Sequence, residues 1–412
     1  MLRKSHPVLA FLFLILCRDV FPQDIGQAIE IIQTLSSPAY HGRGYVNDGV
    51  NKSAAYLEGE FRKAGLYPLS EDYFQEFSMP VNTFPGKMEV QLNTSILNPA
   101  IDFIVDPSSG GLKGTYPVKA IDCSALADQK TRNRFLKKAQ GAFLLIDYRN
   151  RSRLDEQTGK QIGSVIDILK YDPGLKIAGT IVLSDEKLSW SVSPFRGPRP
   201  VILTNIPLDI DTVKSITLNI ESKWLGNYPV RNIIGYLPGT VGRDSFIAVT
   251  AHYDHLGQMG NDVYFPGAND NASGVAVMLT IAAYFAAHPA HYSILFIAFA
   301  GEEAGLLGSR YYVENPYFEL CHIKFLINLD LAGTGDEGIT VVNGSVFKEK
   351  FELLTEINSQ KHLLPQVKSR GEACNSDHCY FYKAGVPCFF IYTMGGGTAY
   401  HDIYDTYDAL TG

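Results

Sequence analysis

The sequence predicts an α/β protein, a mostly parallel mixed sheet sandwiched by helices and interrupted by a β-rich inserted domain. Three observations carry this. After Asn232, apolar runs of strand length alternate with helix-length segments. Those runs are apolar throughout, as strands buried on both faces are. Between about 85 and 225 the rhythm differs: short β-like runs are punctuated by Gly and Pro.

The chain opens with Arg3 and Lys4, an apolar run from Val8 to Cys17, and Pro22. A short basic stretch followed by about ten apolar residues reads as a secretion signal, residues 1–22, which places the protein outside the cell or in a periplasm. The run is too short to span a bilayer, which takes about 20 residues. The alternative is a buried first helix. Cys17 could carry a lipid anchor, but Leu16 is bulky where a small residue is wanted. No later segment reads as a membrane span.

Residues 23–84 read as a helical part of the main domain. Ala28, Ile31, Ile32 and Leu35 recur at helical spacing, as do Ala54, Leu57, Phe61 and Leu66. Tyr40-His-Gly-Arg-Gly links the two as a turn. Within 85–225, strands are expected at Met88–Leu92, Gly141–Ile146, Gly179–Leu183 and Val201–Thr204, without regular helix–strand alternation. Residues 226–412 form the last unit. Its strands are expected at Phe246–Ala251, Ile294–Ala300, Phe325–Asp330, Ile339–Val342 and Cys388–Tyr392, with helices at Asn271–Ala287 and Glu302–Val313.

The composition is globular: 412 residues, 46% apolar and 19% charged, enough for a large domain and a smaller one. Lys and Arg total 36 against 43 acids, a net charge of −7 with no basic stripe, which argues against a nucleic-acid partner. Nothing signals a subunit interface, so a monomer is the default. Of six cysteines, five follow residue 22, and an odd count leaves at least one free. Cys374 and Cys379 are the pair closest in sequence. The alternative is that all are small buried apolar residues.

The polar residues fall at strand ends. His252 and Asp254 follow Phe246–Ala251, Glu302 and Glu303 follow Ile294–Ala300, Asp330 ends its strand, and Asp270 opens the next helix after Gly267-Ala-Asn. In open α/β sheets, ligands bind outside the carboxyl ends of the strands. Acids gathered there need a counter-charge, because several like charges cannot all stay ionised together. A metal or a metal pair supplies it. Ligands of His, Asp and Glu without Cys suit zinc. Two ions about 3.5–4 Å apart and sharing a carboxylate can grip both ends of a hydrolytic transition state.

Six segments then carry a resemblance: Ala251-His-Tyr-Asp-His-Leu-Gly, Gly267-Ala-Asn-Asp-Asn-Ala-Ser-Gly, Ala300-Gly-Glu-Glu-Ala-Gly-Leu-Leu-Gly-Ser, Asn328-Leu-Asp, Ser376-Asp-His and Tyr400-His-Asp. From about residue 232 onward the chain resembles the co-catalytic di-zinc aminopeptidases, whose relatives include glutamate carboxypeptidase, the transferrin receptor and glutaminyl cyclase. The resemblance implies that His252 and Asp330 bind one zinc, Glu303 and His401 the other, and Asp270 bridges them. It implies that Asp254 hydrogen-bonds His252 from behind, as carboxylates do for metal-bound histidines. Glu302 would be the general base. Tyr400 would steady the developing oxyanion, or serve packing. The resemblance also implies a protease-associated-like domain at 85–225, and a last helix beyond Tyr404-Asp-Thr-Tyr-Asp, where this sequence stops at Gly412.

Simpler readings stand beside these. Glu302-Glu303 could be an exposed helix start, Asp270 an N-cap, and His401 a surface or core histidine. His255 should point away from Asp254 and is read as structural. Asp377 and His378 match a motif but receive no metal role. Three functions follow: hydrolysis of N-terminal residues from peptides, glutaminyl cyclisation, or binding on an inactive peptidase scaffold. A carboxypeptidase would need cationic groups for a free carboxylate, and none is identifiable.

Overall fold

A computed structural model of the chain describes residues 25–410. The expected signal at 1–22, with Cys17, lies outside these. Two sheets organise the described residues. In the first, the strands run in the order Tyr67–Pro68, Lys223–Leu237, Tyr292–Phe299, Gly242–His252, Ile323–Leu329, Cys388–Met394, Gly338–Val342, Val367–Ser369, and Phe74–Thr83 pairs with Lys223–Leu237 off this path. The four central strands are mutually parallel. Lys223–Leu237 on one side and Gly338–Val342 on the other run antiparallel to the central strands they pair with. The central strands are the apolar runs seen in the sequence, and Tyr292–Phe299 is buried along seven of its eight residues.

Helices Ile25–Leu35, Gly49–Lys63 and Gly274–Ala287 pack with this sheet in one core that includes Ile31, Leu35, Leu57, Phe61, Val275, Leu279, Val249 and Phe296. The apolar segment Ala268–Ala287 is long enough by composition to cross a membrane. Here its Val275, Ala276, Met278, Leu279 and Ala282 are buried in that core.

The second sheet uses residues between Met88 and Ile220, in the order Ser95–Leu97, Met88–Leu92, Ser215–Ile220, Leu112–Asp122, Phe143–Asp147, Gly179–Leu183, Val201–Thr204, Phe103–Val105. The middle of this region departs from the expectation. Leu112–Asp122, Phe143–Asp147, Gly179–Leu183 and Val201–Thr204 are parallel, with helices Gln129–Lys138 and Glu156–Tyr171 between them in sequence. Helix–strand alternation is therefore present. The first helix buries no residue, so it shows no apolar stripe. The second buries Ile162, Val165, Ile166 and Leu169 at helical spacing, but Gly159 and Gly163 interrupt the pattern.

The two sheets share contacts. Leu256, Met259 and Phe265, which follow the central strand Gly242–His252, pack in one cluster with Phe84, Phe103, Trp190 and Ile220.

Candidate metal centre

The chain leaves Gly242–His252 for Tyr292–Phe299 on one side, then crosses to Ile323–Leu329 on the other. That reversal opens a crevice at the carboxyl ends of Gly242–His252 and Ile323–Leu329. His252 and Asp330 stand at those two ends. Glu302 and Glu303 follow Tyr292–Phe299. Tyr400 and His401 come from the loop after Cys388–Met394.

Two local expectations change. The helix predicted from Glu302 begins at Leu307. Gly301 and Leu306 adopt φ of 71° and 61°, so Glu302 and Glu303 lie in a tight turn ahead of the helix, and a helix-dipole role for them lapses. Asp270 is not an N-cap. It sits at φ −107° and ψ 97° in the irregular turn Ala268–Ser273, and the following helix starts at Gly274, whose N–H bonds to Asn271 Oδ1 at 3.0 Å. The Asp270–Asn271 peptide is cis.

The five predicted metal ligands converge. His252 Nε2 lies 3.4 Å from Asp270 Oδ1 and 3.4 Å from Asp330 Oδ1. His401 Nε2 lies 3.0 Å from Asp270 Oδ2 and 3.3 Å from Glu303 Oε2. Asp270 thus turns one oxygen to each group. Glu302 and Tyr400 line the same cleft, with Leu331, Asn375 and Phe390. Tyr400 stacks on His401 at 4.0 Å and 16°, so packing and proximity to the cleft coexist in it.

Asp254 holds its place by different bonds from those expected. Its carboxylate is 3.9 Å from His252 Nδ1, beyond hydrogen-bond reach. The Nδ1–H donates instead to the Asp254 main-chain oxygen at 3.1 Å, which leaves Nε2 to face the acids. The Asp254 carboxylate accepts from the backbone N–H of Glu302 at 3.1 Å and from the Tyr45 hydroxyl at 3.0 Å. It shapes the Glu302–Glu303 turn, and Asp254 orients His252 through its backbone.

His255 also turns toward this group rather than away from it. It is fully buried, and its Nδ1 is 2.8 Å from Glu303 Oε1. It forms a compact group with Asp270 and Glu303. The alternation argument failed because the strand ends at His252, and the two-residue period ends with it. Arg43 was seen only as part of a turn. It is fully buried and donates to five carbonyl oxygens, of Tyr253, Leu35, Pro266, Gly267 and Asp270, at 2.6–3.0 Å. It ties together the loops carrying His252 and Asp270. Asp405 adds a second tie, accepting from the N–H groups of Asn269 and Asp270 at 2.8 and 3.0 Å. Cys374 and Cys379 form a disulfide. Ser376, within that loop, donates to Asp330 Oδ2 at 2.9 Å and accepts from Asn328 Nδ2 at 2.8 Å. Asp377 is fully buried near these groups, and the His378 Nε2–H donates to the Ala373 carbonyl at 2.8 Å.

The electrostatics fit a cation. Among the described residues, Asp254, Asp270, Glu303 and Asp330 meet only histidines as ion-pair partners. Burial pushes the Glu302 carboxyl well above the usual range, with Glu303, Asp377 and Asp330 adding to it. Burial likewise raises Asp254 to about 6 and Asp377 to about 7. Burial opposes a charge on His401, yet Glu303 and Asp270 hold its pKa up to about 9. Protons thus take the place of missing positive charge. Asp330 Oδ1 and His255 Nε2 are buried without a hydrogen-bond partner. Orphaned buried donors and acceptors are costly unless an ion or water meets them. Imidazole and carboxylate oxygens in two groups sharing Asp270 match what zinc accepts.

Comparison with known proteins agrees with this geometry. Residues 232–412 match the family described as Peptidase family M28. The aminopeptidase YwaD of Bacillus subtilis (strain 168) is 33% identical over 177 residues, covering 42% of this chain and 37% of that protein. A probable leucine aminopeptidase of Trichophyton verrucosum is 32% identical over 185 residues, 42% of this chain and 48% of its own length. In sequence, then, the match spans less than half of either relative. In three dimensions the fold is similar to that of BSAP, a zinc aminopeptidase from Bacillus subtilis, with a TM-score of 0.69 and 24% identity over 94% of this chain and 91% of that one. It is also similar to a peptidase M28 precursor from Shewanella amazonensis, with a TM-score of 0.66 and 17% identity over 94% and 92%. The strand-end crevice, the convergent acids and histidines and the motifs that carry them all fall within residues 232–412, the segment that is similar to Peptidase family M28.

Proposed function

We propose that the protein is a zinc-dependent aminopeptidase that removes N-terminal residues from peptides. The observation that carries this is Asp270, whose two oxygens face two separate groups of imidazole and carboxylate atoms. His252 and Asp330 would hold one ion, Glu303 and His401 the other, and Asp270 both. Zinc in those places supplies Lewis acidity to a carbonyl and lowers the pKa of water.

The chain's own residues do the rest. The Glu302 carboxylate lines the cleft and belongs to neither ligand group, which frees it to act as general base. It accepts the proton of the attacking water and returns it to the leaving amine. The Asp254 carboxylate fixes the turn from which Glu302 reaches in. The Tyr400 phenol lines the cleft wall and would donate to the developing oxyanion. All five expected ligands are present and convergent, which favours catalysis over an inactive binding scaffold. The signal-like residues 1–22 support secretion or a periplasmic location. A monomer remains the working state.

The test is Glu302→Gln. Elemental analysis should find about two zinc ions per chain in the parent and the variant. Release from an aminoacyl anilide should fall by about 10²–10⁴-fold in kcat. Undiminished turnover in the variant would overturn the base assignment. Full metal with conversion of a Gln-peptide to pyroglutamate would replace hydrolysis with cyclisation.

A further inference from the structure

His401 is held by the second sheet's side of the molecule. Its main chain sits at a φ of 55°, the left-handed region that side-chain-bearing residues seldom adopt. Its carbonyl accepts the Trp190 N–H at 2.8 Å, and its Nδ1 donates to the Trp190 carbonyl at 2.9 Å. That reciprocal pair leaves Nε2 facing Asp270 and Glu303. Three residues earlier, Lys187 Nζ donates to the carbonyls of Thr398 and Tyr400 at 2.7 and 3.1 Å and pairs with Asp402 at 2.5 Å. Four residues of the loop, 398 and 400–402, are therefore gripped by 187 and 190.

The gripping segment is itself anchored. The Trp190 indole is buried, donates from Nε1 to the carbonyl of Val105 at 2.7 Å, and stacks on Phe265 at 4.7 Å and 23°. Val105 belongs to a strand of the second sheet, and Phe265 to the loop that follows His252. Ile403 packs into the same cluster.

We propose that residues 187–190 are a positioning strap through which the 88–220 unit sets the tautomer and aim of His401. The second unit would then contribute to metal binding, and Lys187 is a positioning residue for it. The inference rests on the zinc reading above. A hydrogen bond to the outer nitrogen of a metal-bound imidazole fixes its tautomer and orientation, and loss of such support typically weakens metal affinity about 10–100-fold.

The experiment is competition for zinc between the full chain and a chelating fluorophore, using the parent and Lys187→Met, which keeps the apolar stem but removes the ammonium. Binding of zinc to its weakest site should fall about 10-fold or more. Lys187→Arg, which can still donate to both carbonyls and meet Asp402, should recover most of it. The thermal midpoint of the chelated, metal-free proteins should differ by only a few degrees. If Lys187→Met does not fold, Asp402→Asn carries the test, because it removes the ion pair and leaves both carbonyl bonds. It should weaken zinc binding by a smaller factor. Parent affinity in whichever variant folds would overturn the strap. A parent that binds no zinc would overturn the metal reading itself, which separates the two failures.

Discussion

Both sheets run parallel strands through their middles and set acids at the strand ends. In the second sheet, Asp122 and Asp147 end neighbouring strands side by side in register. Each is satisfied locally. Asp122 accepts from the N–H and hydroxyl of Ser124. Asp147 takes both arms of Arg149, at 2.9 and 2.7 Å, which hold its carboxyl below the usual range. In the first sheet, the acids at the strand ends are buried and face one another and histidines, and burial raises the pKa of Asp254, Glu302 and Asp377. The buried guanidinium of Arg43 beneath them directs its hydrogen bonds to carbonyl oxygens. Acids at strand ends are thus common to both regions. Among the described residues, the candidate metal centre is distinguished by acids whose ion-pair partners are histidines rather than Lys or Arg.

That contrast can be broken at Arg43. Arg43→Met would leave five carbonyl groups without their donor, each a cost of about 1–3 kcal/mol when buried. A loss of about 4 kcal/mol or more in unfolding free energy is expected, measured by urea denaturation of the zinc-free protein. Arg43→Lys should not restore it, because an ammonium cannot reproduce the planar fork. A variant within 1 kcal/mol of the parent, about the scatter of surface changes, would show that the loops hold without Arg43.

A smaller effect sharpens the comparison at Ser376. Ser376→Ala removes the hydroxyl between Asn328 and Asp330. Zinc affinity is expected to fall about 10-fold, with little change in the fold. Equal affinity would mean that Asp330 needs no support from the disulfide loop.

The smallest effect belongs to the second sheet. Asp147→Asn should cost less than about 1 kcal/mol and leave zinc content unchanged. The sign with pH is definite. The folded-state pKa of Asp147 is lowered, so its contribution is present above the unfolded value of about 3.9 and is lost as pH falls below that. Acid unfolding curves of parent and variant should therefore converge at low pH. A change in metal content in this variant would contradict the local satisfaction of Asp147 by Arg149.

Much of the first sheet was legible. Its strands stand within a few residues of the expected runs, because burial on both faces leaves an unmixed apolar signature. The ligand types at those ends could be read as a set, since strand order and the crevice rule converge them. The expectation that His255 points away from Asp254 carried a two-residue period past the strand end. Arg43 was overlooked because its partners are backbone oxygens far along the chain, and a carbonyl carries no residue-type signal. The helices in 129–171 were hidden by a polar surface in one case and by glycines in the other.

The sequence by itself determined which side chains could bind a metal, on which strand ends they stand, and that their charges would not balance without one. These follow from residue chemistry and hydrophobic period, which are local. Only the tertiary structure decided that Asp254 orients His252 through its carbonyl, that Arg43 ties two ligand loops, and that Trp190 and Lys187 hold the His401 loop. The Arg43, Trp190 and Lys187 contacts join residues some 200 positions apart, and in all of these contacts the partners are mostly backbone groups that every sequence contains.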